Sequence, residues 1–123
     1  MTANTSATRK AKGRNAAKEL REALLKSAPQ LEQGDIVVTP SGVTGPDLYL
    51  SPAAVKAFPF TFEVKNQESL QFWQALKQSE THPKGTGLSP ILAFKRNNEP
   101  LRVAMRLEVF LEILNGKNNR EFL

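Results

Sequence analysis

The sequence predicts a mixed α/β domain, a central sheet flanked by helices, and three features carry that reading. Residues 60–65 (FTFEVK) alternate apolar and polar without a break, the period-two signature of a strand. Residues 15–28 and 67–79 repeat apolar positions at three- and four-residue steps, the signature of amphipathic helices. Between these runs lie clusters of Pro, Gly, Ser and Asn that read as turns. A length of 123 residues allows one domain, able to bury roughly two-thirds of the surface its unfolded chain exposes. The expected division is a basic flexible arm over residues 1–11 and a single domain over residues 12–123.

Residues 1–11 are rich in Ser, Thr, Asn and Lys and lack apolar periodicity, which predicts disorder. In the first helix Ala16, Leu20, Ala23, Leu24 and Ser27 recur on one face, and Pro29 ends it. Residues 35–39 (DIVVT) are a short β-rich run, followed by the turn-rich stretch 40–46 (PSGVTGP) and a second strand at 48–50 (LYL). Ser51-Pro52 matches an N-cap followed by proline at the first helical position, so residues 52–58 predict a short helix that Pro59 ends. In the strand at 60–65, Phe60, Phe62 and Val64 point one way and Thr61, Glu63 and Lys65 the other, with one face packed. The helix over 67–79 places Leu70, Trp73 and Leu76 on its inner face and Gln67, Gln71, Gln74 and Gln78 in one stripe on another. Residues 82–87 (HPKGTG) form a loop, and residues 89–95 and 101–106 are strands around a turn at 97–100 (NNEP). A last helix at 107–114 is closed by Asn115-Gly116.

Composition narrows the function classes. Hydrophobic residues make up 40% and charged residues 24% of the chain, ordinary for a soluble protein, and no apolar run approaches the ~20 residues of a membrane-spanning helix. The basic N-terminus lacks the apolar segment of a secretory signal, so the chain is expected to stay in the cytoplasm. The absence of cysteine excludes disulfides and thiolate zinc sites, and a single histidine argues against His-based metal sites and catalytic triads. Any metal ion here must take oxygen ligands.

Five of the 17 Lys and Arg residues, Arg9, Lys10, Lys12, Arg14 and Lys18, precede the first acid, Glu19; the remaining 12 match the 12 Asp and Glu. The net charge of +5 is therefore concentrated in one N-terminal segment. Such a segment suits either a polyanion such as nucleic acid, held by salt-dependent phosphate contacts, or a solubilising tail.

The stretch 45–65 (GPDLYLSPAAVKAFPFTFEVK) holds the candidate chemistry. Hydrolysing a phosphodiester at neutral pH needs a nucleophilic water of lowered pKa and a counter-charge for the phosphate oxygens, and carboxylate-held Mg²⁺ supplies both. Asp47 at the start of one strand and Glu63 on its neighbour can converge on such an ion, with the Val64 backbone carbonyl as a third oxygen. Lys65 shares a strand face with Glu63, and its ammonium can orient the water or stabilise the charge developing on the phosphoryl group. The same acid-x-lysine pattern also fits a plain ion-pair partner on the solvent face of a strand. Ser41, Gly42 and Thr44 lie in the loop before Asp47, able either to close on a scissile strand or merely to connect. Gln67, just past Lys65, is placed to hydrogen-bond a phosphate or a water, whereas the rest of the glutamine stripe reads as a solvated face. Lys84, with His82, can touch phosphate from its loop. Phe72, Trp73 and Phe94 read as core or dimer contacts, since their spacing makes no exposed aromatic cluster.

Asp-(x15)-Glu-x-Lys preceded by Pro46 is a literal instance of the PD-(D/E)xK nuclease motif. With FPFTFEVKNQESLQFWQAL at 58–76, ILAFKRNN at 91–98, VAMRLEVFLEIL at 103–114 and KGRNAAKEL at 12–20, the chain resembles phage-encoded PD-(D/E)xK endonucleases related to archaeal Holliday junction resolvases. The resemblance covers most of the chain after Gly34, and KGRNAAKEL is similar to the start of those resolvases, where a lysine-glycine pair opens the first helix. It implies a restriction-endonuclease-like core and a homodimer in a phage or its bacterial host. The implied activity is Mg²⁺-dependent hydrolysis of branched DNA, with Mn²⁺ able to substitute and the two sites cutting opposite strands. It further implies that Asp47 and Glu63, with the Val64 carbonyl, are metal ligands and that Lys65 is the catalytic lysine. In the archaeal relatives the first helix supplies another glutamate; Ala17 aligns there, which leaves either Glu19 as the further acid or a site of two acids. Two other readings stand beside this one: a nicking or homing-type endonuclease with a preferred duplex sequence, and a non-catalytic DNA-binding module on the same fold.

Overall fold

The computed structural model describes residues 6–81, 83 and 85–116. Helix α1 (Ser6–Ser27) begins well before residue 15, so residues 6–11, expected as part of a flexible arm, are helical. Lys, Arg and Ala are good helix formers, and a solvated turn carries no apolar period by which to read it. Gly13 accordingly lies inside α1 and does not open it. The Arg21 guanidinium ties the helix to the next segment, with Nε donating to the Ile36 carbonyl at 2.6 Å and Nη2 to the Gln33 carbonyl at 2.6 Å.

A 3-10 turn (Gln33–Asp35) leads into β1 (Ile36–Val38), which pairs antiparallel with β2 (Leu48–Leu50), Ile36 opposite Leu50 and Val38 opposite Leu48. In α2 (Pro52–Ala57) the cap is anchored from both sides: Ser51 Oγ accepts from the Ala54 N–H and donates to Asp35 Oδ1 at 2.6 Å. That hydroxyl, with the Glu32 amide, holds the Asp35 carboxyl below its usual pKa.

Strand β3 (Phe60–Asn66) runs parallel to β4 (Ser89–Lys95), and β5 (Arg102–Ala104) returns antiparallel on the far side of β4. Helix α3 (Phe72–Ser79) makes the crossover between the parallel strands, as parallel pairing requires, and α4 (Leu107–Leu114) follows β5. Gly116, at φ 69°, adopts the left-handed conformation common just past a helix. The molecule is thus α/β, but its strands fall into an antiparallel pair, β1–β2, and a mixed three-stranded sheet, β3–β4–β5, in place of one continuous central sheet.

The main core lies between α1 and the strands. Ala16, Ala17 and Leu20 gather with Phe62 and Val64 of β3, Ile91 and Ala93 of β4, and Ile36 and Leu48 of the β1–β2 pair. The small alanine side chains let the helix backbone approach the sheet closely. The opposite face of β3 is covered as well, because α3 packs across β3 and β4; Thr61 and Glu63 are therefore buried, as on a parallel strand with helices on both sides.

Helix α3 starts at Phe72 instead of residue 67, since β3 continues to Asn66 and the Gln67 N–H still donates to the Lys95 carbonyl at 3.2 Å. The later start resets the helix phase. Ala75 and Ser79 face inward, Phe72 lies edge-on to Phe94, and Trp73 is 73% exposed, outside the inner face assigned to it. Truncating Trp73 to Ala should change the free energy of unfolding by no more than about 0.5 kcal/mol. Leu92, wholly buried, should cost about 2–5 kcal/mol on the same truncation. Denaturant unfolding of the two variants checks the contrast.

Candidate functional site

The two sheets meet at Asp47. Its amide donates to the Phe62 carbonyl at 2.9 Å, and its carboxylate Oδ2 accepts from the Val64 N–H at 2.7 Å. The loop that delivers it is closed at the neck, where the Thr39 N–H donates to the Asp47 carbonyl at 2.9 Å and Thr39 Oγ1 to the Pro46 carbonyl at 2.7 Å. Gly42, at φ 83°, makes the turn inside that loop.

These bonds orient the β3 backbone. In a strand the N–H and C=O of one residue share an edge, so Phe62 and Val64 turn theirs toward Asp47 while their neighbours turn toward β4. The Val64 carbonyl therefore lies on the Asp47 side.

Glu63, 5% exposed, lies against Asp47. Its pKa is pushed up to about 8, first by burial, then by the nearby Asp47 carboxylate and a hydrogen bond shared with it; the Lys65 ammonium acts in the opposite direction. Two carboxyl groups this close in a buried setting need a proton or a cation to hold them together.

A cleft of about 360 Å³ opens beside them. Arg9, Lys10, Arg14, Gly13 and Ala17 of α1 form one wall; Ser41, Gly42 and Val43 form the loop side; Asp47, Val64, Lys65, Asn66 and Gln67 complete it. Of the expected residues, the structure thus brings together Asp47, Glu63, Val64 and Lys65, and sets Arg9, Lys10, Arg14, Ser41 and Gln67 around them. Lys12, Lys18 and Thr44 do not line the cleft, and Lys84 lies outside the described residues. Glu19 does not join the site: its carboxylate accepts from Lys95 Nζ at 3.1 Å. The helix residue facing the site is Ala17, two positions and about 200° away around α1.

Several lining residues were not among the candidates read from the sequence, Gly13 and Asn66 among them. Gly13 lines the α1 wall at a point where a Cβ would meet nothing within 4 Å, so close packing does not require the glycine; a glycine inside a helix, at roughly 1 kcal/mol relative to Ala, was its available signal. Asn66 closes β3 at the cleft, and its Oδ1 is buried with no hydrogen-bond partner among the described residues; no pattern in the sequence singles it out.

As a donor set, two carboxylates and a peptide carbonyl are all oxygen, which suits a hard divalent ion such as Mg²⁺ that keeps several waters. Among the described residues no group of three His, Cys, Asp or Glu side chains could hold a metal, so any ion here would depend on these two acids. No helix of the described residues is long and apolar enough to cross a membrane. Comparisons with protein-family models, curated proteins and solved structures find no match to the chain.

The raised Glu63 pKa fixes a sign for stability against pH. Between the ordinary value of 4.5 and about 8 the folded protein keeps a proton that the unfolded chain gives up. Stability is thus greatest below the lower limit and lost as pH rises toward the upper one. With divalent ions chelated, the melting temperature should fall from pH 5 to pH 8.5. Glu63→Gln should flatten that decline and melt higher than the parent at pH 8.5. A parallel decline in the variant would show that another group titrates.

Proposed function

We propose that the chain is a Mg²⁺-dependent endodeoxyribonuclease acting on branched or otherwise structured DNA. One observation carries this reading: Asp47 lines a cleft together with Lys65 and with Arg9, Lys10 and Arg14 of its α1 wall, and the buried Glu63 carboxyl lies against Asp47 from within. The Asp-(x15)-Glu-x-Lys spacing and the resemblance to junction-resolving PD-(D/E)xK enzymes point the same way.

Each residue then has a physical task. Asp47, Glu63 and the Val64 carbonyl would hold the metal ion, whose charge would replace the proton that otherwise keeps the carboxyl pair together. When bound, Mg²⁺ supplies a water of lowered pKa and a counter-charge for the phosphate oxygens. Lys65 places its ammonium beside the reacting phosphate, to orient the attacking water and stabilise developing charge. Arg9, Lys10 and Arg14 hold flanking phosphates without reading bases, and Ser41 and Gln67 add neutral hydrogen bonds. Few candidate base readers line the cleft, which favours recognition of shape and backbone.

The resemblance also implies a homodimer. Leu107, Phe110, Leu111 and Leu114 are exposed along α4 at i, i+3, i+4, i+7 spacing. A two-fold pairing of that face would bury the same stripe from both copies. Ala17 in place of a helix-borne acid favours a second reading, a DNA-binding module without catalysis.

Purified protein with Mg²⁺ and labelled four-way junction, flap and linear duplex decides between them. Cleavage of the branched forms is expected, and Glu63→Gln should abolish it while leaving junction binding within about threefold; binding without cleavage by the parent protein selects the module, and neither removes both readings. The salt dependence of binding locates the contact surface. Alanine at Arg9, Lys10 and Arg14 together should lower the slope of log K against log salt by about 2 to 3. Lys18→Ala, outside the cleft, should leave the slope nearly unchanged.

A further inference from the structure

We propose that the surface beyond Lys65 takes an unpaired nucleotide, its sugar-phosphate in a polar trough and its base in an adjoining aromatic recess. The proposal rests on the nuclease reading above and specifies its substrate as DNA with unpaired bases next to the cut.

Gln67 and Leu70 line both depressions and form the ridge between them. On one side Lys65, Gln71, Gln74 and Gln78 line an open trough of about 300 Å³. Gln74 and Gln78 of α3, with Gln71 at its N-cap, present a row of amides along the trough. Each amide can donate to a phosphate or sugar oxygen without regard to sequence. The stripe that reads as a solvated face in the sequence is one wall of this trough.

On the other side Phe72 and Phe94, ring centroids 5.3 Å apart and edge-on, line a recess of about 340 Å³ rimmed by Arg96, Glu99 and Arg102. One acid stands between two cations on the rim: the Glu99 carboxylate accepts from Arg102 at 2.9 Å and sits 3.8 Å from Arg96. Lys95, also on the rim, is engaged by Glu19. An aromatic wall under a rim that offers guanidinium donors and a carboxylate acceptor suits a flat ring with hydrogen-bonding edges, and a nucleobase is such a ring.

Gln67 lines the cleft as well as both depressions. A strand with its scissile phosphate beside Asp47 and Glu63 can therefore continue over Gln67 without leaving the protein. A base held in a duplex cannot turn into the recess, so the arrangement selects for an unpaired one.

The full chain carrying Glu63→Gln, which preserves the DNA from cleavage, serves for the test. Fluorescence anisotropy measures its binding to a flapped duplex and to the same flap made abasic beside the branch, a change that keeps every phosphate. The intact flap should bind about tenfold more tightly, as loss of one stacked base predicts. Adding Phe72→Leu, which keeps apolar bulk but removes the ring, should bring the intact flap to within about twofold of the abasic one. Equal binding of intact and abasic flaps overturns the inference while leaving the nuclease reading standing, and so does a tenfold preference that survives Phe72→Leu. Failure to bind any DNA overturns both. The abasic comparison needs no change at Phe72, so it decides alone if that variant does not fold.

Discussion

One residue joins the two sheets. Where β2 and β3 would need a ladder to form a single sheet, Asp47 supplies a backbone donor to Phe62 and a side-chain acceptor for Val64. An amide N–H left without a partner at such a junction costs about 1–3 kcal/mol, so the acceptor is a structural requirement in its own right. An asparagine oxygen would meet it too. The carboxylate meets it while placing a negative charge at the edge of β3, against the side chain of Glu63. The bond that assembles the fold and the repulsion that marks the site arise from the same side chain.

The direction of that repulsion separates the site from the ordinary charge pairs of the protein. Asp35 and Glu99 are held below their usual pKa values, because hydroxyl, amide or guanidinium donors stabilise their ionised forms. Glu63 is driven the other way, by burial and by a second acid. A glutamine could fill the same space without a charge to neutralise, so packing offers no reason for the acid. Strongly raised carboxylates beside clefts tend to be functional, and here the physical cause is specific: an acidic pair that folding leaves in need of a cation or a proton.

The sequence was most legible where a periodic pattern met a stop signal. Ser51-Pro52 marked α2, the alternation at 60–65 marked β3, and the residues that close α4 marked its end. It was least legible where tertiary contact, not local pattern, sets the answer. Periodicity cannot show that a solvated turn continues α1 back to Ser6. The start of α3 depends on β3 remaining paired with β4 through Asn66 and Gln67, and this pairing turned Trp73 outward. Glu63 followed its alternation correctly onto the Lys65 face, but alternation alone could not reveal that α3 buries that face. Glu19 was plausible by distance along the chain; only the fold brings Lys95, far away in sequence, to its carboxylate.

Ala17 is best understood from what a third acid would do in this cleft. It is 4% exposed, beside a helix wall that includes Gly13 and carries Arg9, Lys10 and Arg14. A glutamate there would compete with phosphate for those cations and would add a third negative charge to a pair that already resists ionisation. Mg²⁺ does not require a cage made wholly of protein, since it keeps waters and commonly binds through one or two carboxylates together with substrate phosphate. On the proposed reading, the small residues on α1 leave the remaining coordination positions to water and to the DNA itself. Metal affinity would then be weak in the free protein and rise with a phosphate in the cleft, which makes substrate binding and ion binding parts of one event.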